Sequence, residues 1–156
     1  MRIVLAAVTK KPPQWVREGF EEYRKRLPSQ LTLTYSEVKP FTRSGSESAE
    51  SSKRKEGERL RGVIPAKARV IALDEHGECW STEELSAHVQ RWMQDGRDLA
   101  LLVGGADGLD ATLIESADAV WSLSRLTLPH AFVPVLIAEQ LYRAWSLFNN
   151  HPYHRA

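Results

Sequence analysis

Four residues near the C-terminus, His151, Tyr153, His154 and Arg155, hold more chemistry than the simple polar tail that ordinarily ends a chain. Together they can donate, accept, stack on a ring and hold an anion. His151 and His154, three residues apart, would make half of a zinc site. No cysteine or acidic residue lies nearby to complete it, so no metal is expected. Stacking on and clamping a nucleotide of a nucleic acid suits these side chains better.

A second suggestive stretch is LLVGGADGLD, residues 101–110. An apolar, strand-like run ends there in Gly104, Gly105 and Gly108, where bare backbone can approach a ligand or take positive φ. Phosphate is a poor fit. Neither G-x-x-x-x-G-K-[ST] nor G-x-G-x-x-G occurs in the chain, and Asp107 and Asp110 would repel an anion. A phosphate-free ligand recognised by backbone groups fits better, and an adenosyl group carrying a positive centre would fit well. The alternative is a tight strand-to-helix connection with no ligand.

The elements that must position these residues alternate along the chain. Apolar or alternating runs at 2–8, 31–38, 68–74, 98–104 and 119–124 read as strands. Between them lie helical patterns at 13–27, in the second half of 42–65, at 81–94 and at 111–117, with a long final helix over 130–148. Ser81 followed three residues later by Glu84 is a capping box. The alternation predicts an α/β fold, a mostly parallel sheet with helices on both faces, in one domain over residues 1–156. In such sheets ligands bind beyond the carboxyl ends of the strands. Three ends stand out: Leu73-Asp74-Glu75, the glycine turn, and Ser122 to Thr127. Cys79, Trp80 and Trp92 read as packing residues, and His76 and His88 as structural histidines.

The chain has 156 residues, 42% hydrophobic and 26% charged, the profile of an ordinary globular protein. Its single cysteine excludes an internal disulfide, which fits the cytoplasm. No apolar run approaches the roughly 18 residues of a membrane span. The net charge is +1, yet residues 1–43 carry nine lysines and arginines against four glutamates. That excess either faces an anionic partner or solvates one helix. The 42–52 segment has the composition of a flexible lid or of a plain surface loop. The final helix is apolar almost all round and needs cover on every side, which a second copy of the chain would supply. Burial within one chain is the alternative. Pro134 means that this helix starts after His130 or bends.

The stretches LDEHGE, LLVGGADGLD, WSLSRLTLPHAFVPVLIAEQLYRAW and NNHPYHR together resemble the ribosomal RNA large subunit methyltransferase H family. These are small SPOUT-class (α/β-knot) enzymes, and the resemblance covers essentially the whole chain. It implies a C-terminal trefoil knot, a homodimer, and S-adenosyl-L-methionine as cofactor. It also implies methyl transfer to N3 of a pseudouridine in large-subunit (23S) ribosomal RNA on assembled ribosomes. Carried over position by position, the cofactor residues would be Leu73, Gly104, Gly105, Leu123, Ser124, Arg125, Leu126, Thr127 and Leu128. Tyr153, His154 and Arg155 would orient or deprotonate the base, with Arg155 stabilising charge on a base carbonyl. Lys10, Lys11, Arg17, Arg24, Lys25 and Arg26 would meet phosphates. A related enzyme with another RNA target, or a non-catalytic ribosome-binding module, is the alternative.

Overall fold

A computed structural model describes residues Met1 to Arg155. Five strands form one sheet: β1 (Arg2–Val8), β2 (Thr32–Val38), β3 (Arg69–Cys79), β4 (Leu99–Val103) and β5 (Ala119–Ser122), in the order β2-β1-β4-β3-β5. Every pairing is parallel, with Ile3 opposite Leu33 and Leu99, and Ile71 opposite Leu101. Parallel neighbours need crossover helices, and the chain provides α1 (Gln14–Arg24), α2 (Ala49–Arg61), α3 (Thr82–Asp95), α4 (Ala111–Ser116) and α5 (Val133–Phe148).

Strand alternation divides the core in two. Ile3, Leu5, Leu99, Leu101 and Ile71 point to one face, where Phe20 of α1, Leu85 and Val89 of α3, and Ile137 and Leu141 of α5 meet them. Ala6, Ala72, Ala100 and Leu102 point to the other, under Leu60 of α2 and Leu113 of α4. The larger side chains thus serve the three-helix layer, and burying each contributes roughly 1.5–3 kcal/mol. Helix α5 lies between α1 and α3. Gly19 of α1 lets Val135 approach so closely that a Cβ there would stand 3.1 Å from both its methyl carbons.

The capping box at α3 is present in full, with Ser81 Oγ accepting from Glu84 N–H and Glu84 Oε2 accepting from Ser81 N–H. Two expectations shift. Strand β3 does not end at Glu75. It bulges between Leu73 and Glu78, then resumes pairing with β5. Gly77 permits this, because a Cβ there would sit 2.7 Å from the Val120 backbone. The extension carries Cys79 to an exposed position, so Cys79 is not a packing residue. The last helix begins at Val133 after a 3₁₀ turn over His130–Phe132, which places Pro134 in its first turn, where no N–H is needed. Of the two readings of Pro134, the later start holds.

No residue of α5 is exposed, although Leu136 and Leu147 are only half-buried. The sheet, α1, α3 and the chain's own tail supply most of its cover, so its apolar surface is a weaker argument for a second copy than the sequence suggests. The exposed large apolar side chains are instead Trp15, Leu126 and Phe132, with Trp15 and Phe132 ring centroids 5.1 Å apart. No described helix is long and apolar enough to cross a membrane.

Candidate functional site

All five strands point their carboxyl ends the same way, and a cavity of about 650 Å³ opens there. That volume is ordinary for a small-molecule site. Its walls come from the ends of β3, β4 and β5: Leu73, Val103-Gly104-Gly105 and Ser122-Leu123-Ser124, with Leu126, Thr127 and Leu128 beyond.

Gly104 can be nothing else. A Cβ there would lie 2.4 Å from Gly108 C and 2.6 Å from Gly108 O. The turn closes on itself, with Gly108 N–H donating to Gly105 O at 3.1 Å and Gly108 at φ +85°. This folding exposes main chain to the cavity, as the glycine pattern predicts.

The loop after β5 is equally built. Ser122 Oγ donates to Ser124 O (3.0 Å), and Ser124 Oγ accepts from Leu126 N–H (2.9 Å). His130 then brings Nε2 within 2.6 Å of Gly104 O, fastening this loop to the glycine turn. Two of the three predicted loops are therefore joined directly.

Eight of the nine expected cofactor residues line the cavity, and Arg125 is the exception. Its side chain is exposed. Leu126 lines the cavity while largely open to solvent, at 76% exposure. It makes a rim rather than an enclosed wall.

Sequence reading did not assign Lys53, His76 or Val133 to the site, and all three line it. Lys53 arrives from α2 and is held by Glu50 at 2.9 Å. His76 comes from the β3 bulge, its Nδ1 3.1 Å from Asp74 Oδ2. Period-two and period-3.6 patterns carry no signal for residues brought in by a bulge or a distant helix.

Asp74, Glu75 and Asp107 also line the cavity, Asp107 held 3.7 Å from Arg43. The wall charge thus favours a cation over a phosphate. Leu73, Leu123, Leu128 and Val133 offer apolar surface to a flat ring system, and the bare turn offers N–H and C=O groups. A sulfonium nucleoside has all the matching features.

The tail stands elsewhere. Residues 152–155 form a 3₁₀ turn packed on α5. Tyr153 Oη donates to Glu139 Oε1 at 3.0 Å, its ring lies 4.6 Å from Tyr142, and the Arg143 guanidinium sits 4.9 Å above it. Burial, followed by the Glu139 carboxylate, pushes the Tyr153 pKa well above the usual phenol value. His154 Nδ1 is buried without a hydrogen-bond partner among the described residues, and Arg155 is exposed. None of the three lines this chain's own cavity.

The N-terminal basic residues are also largely engaged. Arg17 pairs with Glu37, Arg24 with Glu21, and Lys25 and Arg26 with Glu22. This is the solvated-helix reading of that charge for four of the six residues expected to meet phosphates. Lys10 and Lys11 make no ion pair among the described residues.

Residues 1–154 match the family described as "Predicted SPOUT methyltransferase". The chain belongs to the SPOUT methyltransferase family. It is 51% identical over 156 residues to the ribosomal RNA large subunit methyltransferase H of Burkholderia thailandensis, covering 100% of both chains. It is 49% identical, again over the whole of both chains, to the protein of that name in Burkholderia ambifaria. The fold also resembles a solved probable methylase family protein from Haemophilus influenzae, with TM-score 0.54, 15% identity, and coverage of 97% of this chain and 68% of that one. A putative methylase family protein from Neisseria gonorrhoeae gives TM-score 0.51 at 14% identity, over 90% of this chain and 80% of that one.

Proposed function

We propose that this SPOUT family member transfers a methyl group from S-adenosyl-L-methionine to N3 of a pseudouridine in large-subunit (23S) ribosomal RNA, acting on assembled ribosomes in the cytoplasm. The observation that carries the proposal is the cavity at the strand ends, with its bare Gly104 backbone, apolar walls and acidic rim. The full-length relatives named as ribosomal RNA large subunit methyltransferase H supply the substrate class.

When bound, the cofactor supplies an electrophilic methyl group on a cationic sulfur. Leu73, Leu123 and Leu128 would hold its adenine, and main-chain groups at Gly104, Gly105, Ser124 and Thr127 would be available to its polar edges. His130 keeps the two loops at one spacing, so the cavity is formed before binding and little entropy is lost on closure.

The acceptor nitrogen must lose a proton as the new N–C bond forms. Tyr153 stays protonated at neutral pH, and on docking its O–H turns from Glu139 to donate to the base. Arg155 is permanently charged and stabilises a carbonyl oxygen as negative charge develops on it. That leaves His154 as the tail residue able to take up the N3 proton. Because the tail does not line its own chain's cavity, it acts on the cavity of a second copy in a homodimer. Exposed Trp15, Leu126 and Phe132 supply apolar surface for that contact.

The test is to incubate the purified protein with methyl-labelled S-adenosyl-L-methionine and either assembled ribosomes or free ribosomal RNA, then map the labelled nucleotide. Label at N3 of one large-subunit pseudouridine is expected, with ribosomes the better substrate. Label at another nucleotide would overturn the target, and no label at all would overturn the activity.

A further inference from the structure

A second cavity, of about 430 Å³, lies toward the amino-terminal ends of β3 and β5. Along β3, Arg69 at this cavity and Leu73 at the first are four residues apart, about 13 Å of strand. The floor is Ile71 and Ala119, neighbours across the β3–β5 pair. Strand β5 is the sheet edge.

One wall is aromatic. Trp80 is stacked on Trp121 at 5.2 Å and lies 4.1 Å from His88, which in turn stacks on Trp92 at 5.4 Å. The other walls carry charge of both signs. Arg69 is paired with Asp95 at 2.8 Å through Nη2, yet its Nε is buried and has no acceptor among the described residues. Arg91 donates to His88 Nδ1 at 2.9 Å. Asp118 uses Oδ2 to accept from Val70 N–H and is otherwise exposed at the cavity mouth.

A wall of aromatic rings, a desolvated guanidinium N–H and an exposed carboxylate edge describe a site for a nucleobase rather than for a simple ion. The donor count selects among bases. Guanine presents two adjacent N–H groups to a carboxylate and the O6 and N7 acceptors to guanidinium groups. Adenine and cytosine offer one amine and no ring N–H on the pairing edge, and uracil offers one N–H.

We propose that this cavity holds an unstacked guanine of the RNA substrate, its ring against the Trp80–His88–Trp92 wall, its pairing edge on Asp118 and its acceptors on Arg69 and Arg91. The proposal rests on the reading of the protein as an RNA methyltransferase. It makes the second cavity a docking point that fixes the register of the RNA, with the methylated nucleotide held at the other strand ends. Single-stranded RNA is commonly gripped by such combinations of aromatic ring and guanidinium.

The test uses the cofactor-saturated protein and three pentaribonucleotides, UUGUU, UUIUU (inosine, lacking the 2-amino group) and UUUUU, with binding read by tryptophan fluorescence. Affinity for UUGUU is expected to exceed that for UUUUU by about tenfold, with UUIUU between them. R91A and D118N should each bring UUGUU toward UUUUU and raise the KM for ribosomes, with S-adenosyl-L-methionine affinity unchanged. Equal affinity for the three pentamers, or a preference that survives both variants, overturns the guanine site. Free guanosine monophosphate binding tighter than UUGUU would overturn RNA as its source. Failure of the underlying reading is separately visible, because the wild type would then bind no S-adenosyl-L-methionine in the saturation step.

Discussion

Replacing Gly104 by alanine is the sharpest perturbation of the cofactor cavity. The added Cβ would stand 2.4 Å from Gly108 C, 2.6 Å from Gly108 O and 2.7 Å from Leu109 N, all main-chain atoms. Carbon atoms rest at roughly 3.5–4.0 Å, so one side of the turn must move by about 1 Å. No side chain can absorb this by changing rotamer. The neighbouring Gly105→Ala meets only side-chain atoms, Val8 Cγ1 at 3.1 Å and Glu56 Oε1 at 3.4 Å, which can yield by tenths of an ångström. Overpacking costs about 1–3 kcal/mol, and a chain of this size loses roughly 2–4 °C in Tm per kcal/mol. Gly104→Ala is therefore expected to lower Tm by a few degrees and, because the displaced main chain is the cavity wall, to weaken S-adenosyl-L-methionine at least about tenfold, or 1.4 kcal/mol. Gly105→Ala should do markedly less of both. Calorimetric titration of the two variants beside differential scanning decides. A Gly104→Ala protein that binds the cofactor as wild type would refute the view that this turn forms the wall.

Three further outcomes follow from the geometry. His130→Ala removes the 2.6 Å contact with Gly104 O, so the two loops loosen; a stability loss of about 0.5–1.5 kcal/mol and weaker cofactor binding are expected by denaturant titration and calorimetry. Tyr153→Phe and Arg155→Ala should slow methylation of ribosomes in single-turnover assays while cofactor and ribosome binding persist, and wild-type rates in both would remove the tail from the chemistry. His88 is held neutral, since burial first and Arg91 second lower its pKa from the ordinary value near 6.5. On acidification the unfolded chain takes up this proton before the folded one, so its contribution is complete above about pH 6.5 and is lost as pH falls through the depressed folded value. Tm measured at pH 7.5 and 5.5 should fall more in the wild type than in His88→Gln, and equal falls would contradict the assignment.

Much of this arrangement is legible in the sequence because it obeys short periods. The runs around Leu101 and Leu5 are apolar on both faces since both faces are covered, and the Ser81–Glu84 box marks a helix start from four residues alone. The glycine turn announces exposed main chain, and its acidic neighbours exclude phosphate. What escapes depends on contacts between distant segments. The β3 bulge requires Gly77 to lie against Val120, which no local pattern encodes. Lys53 enters the cavity from α2 on the far layer, and Arg125 does not line it. The tail reads as functional from residue types, yet only the fold shows Tyr153 held by Glu139 on its own helix.

The central claim is that three strand-end loops form one ready site for a sulfonium nucleoside. Isothermal titration of the folded wild-type chain with S-adenosyl-L-methionine, and with its demethylated product, addresses that claim most directly. Saturable heat for both ligands, with both affinities weakened together in Gly104→Ala, is the expected result; a flat titration of the wild type with both would contradict it.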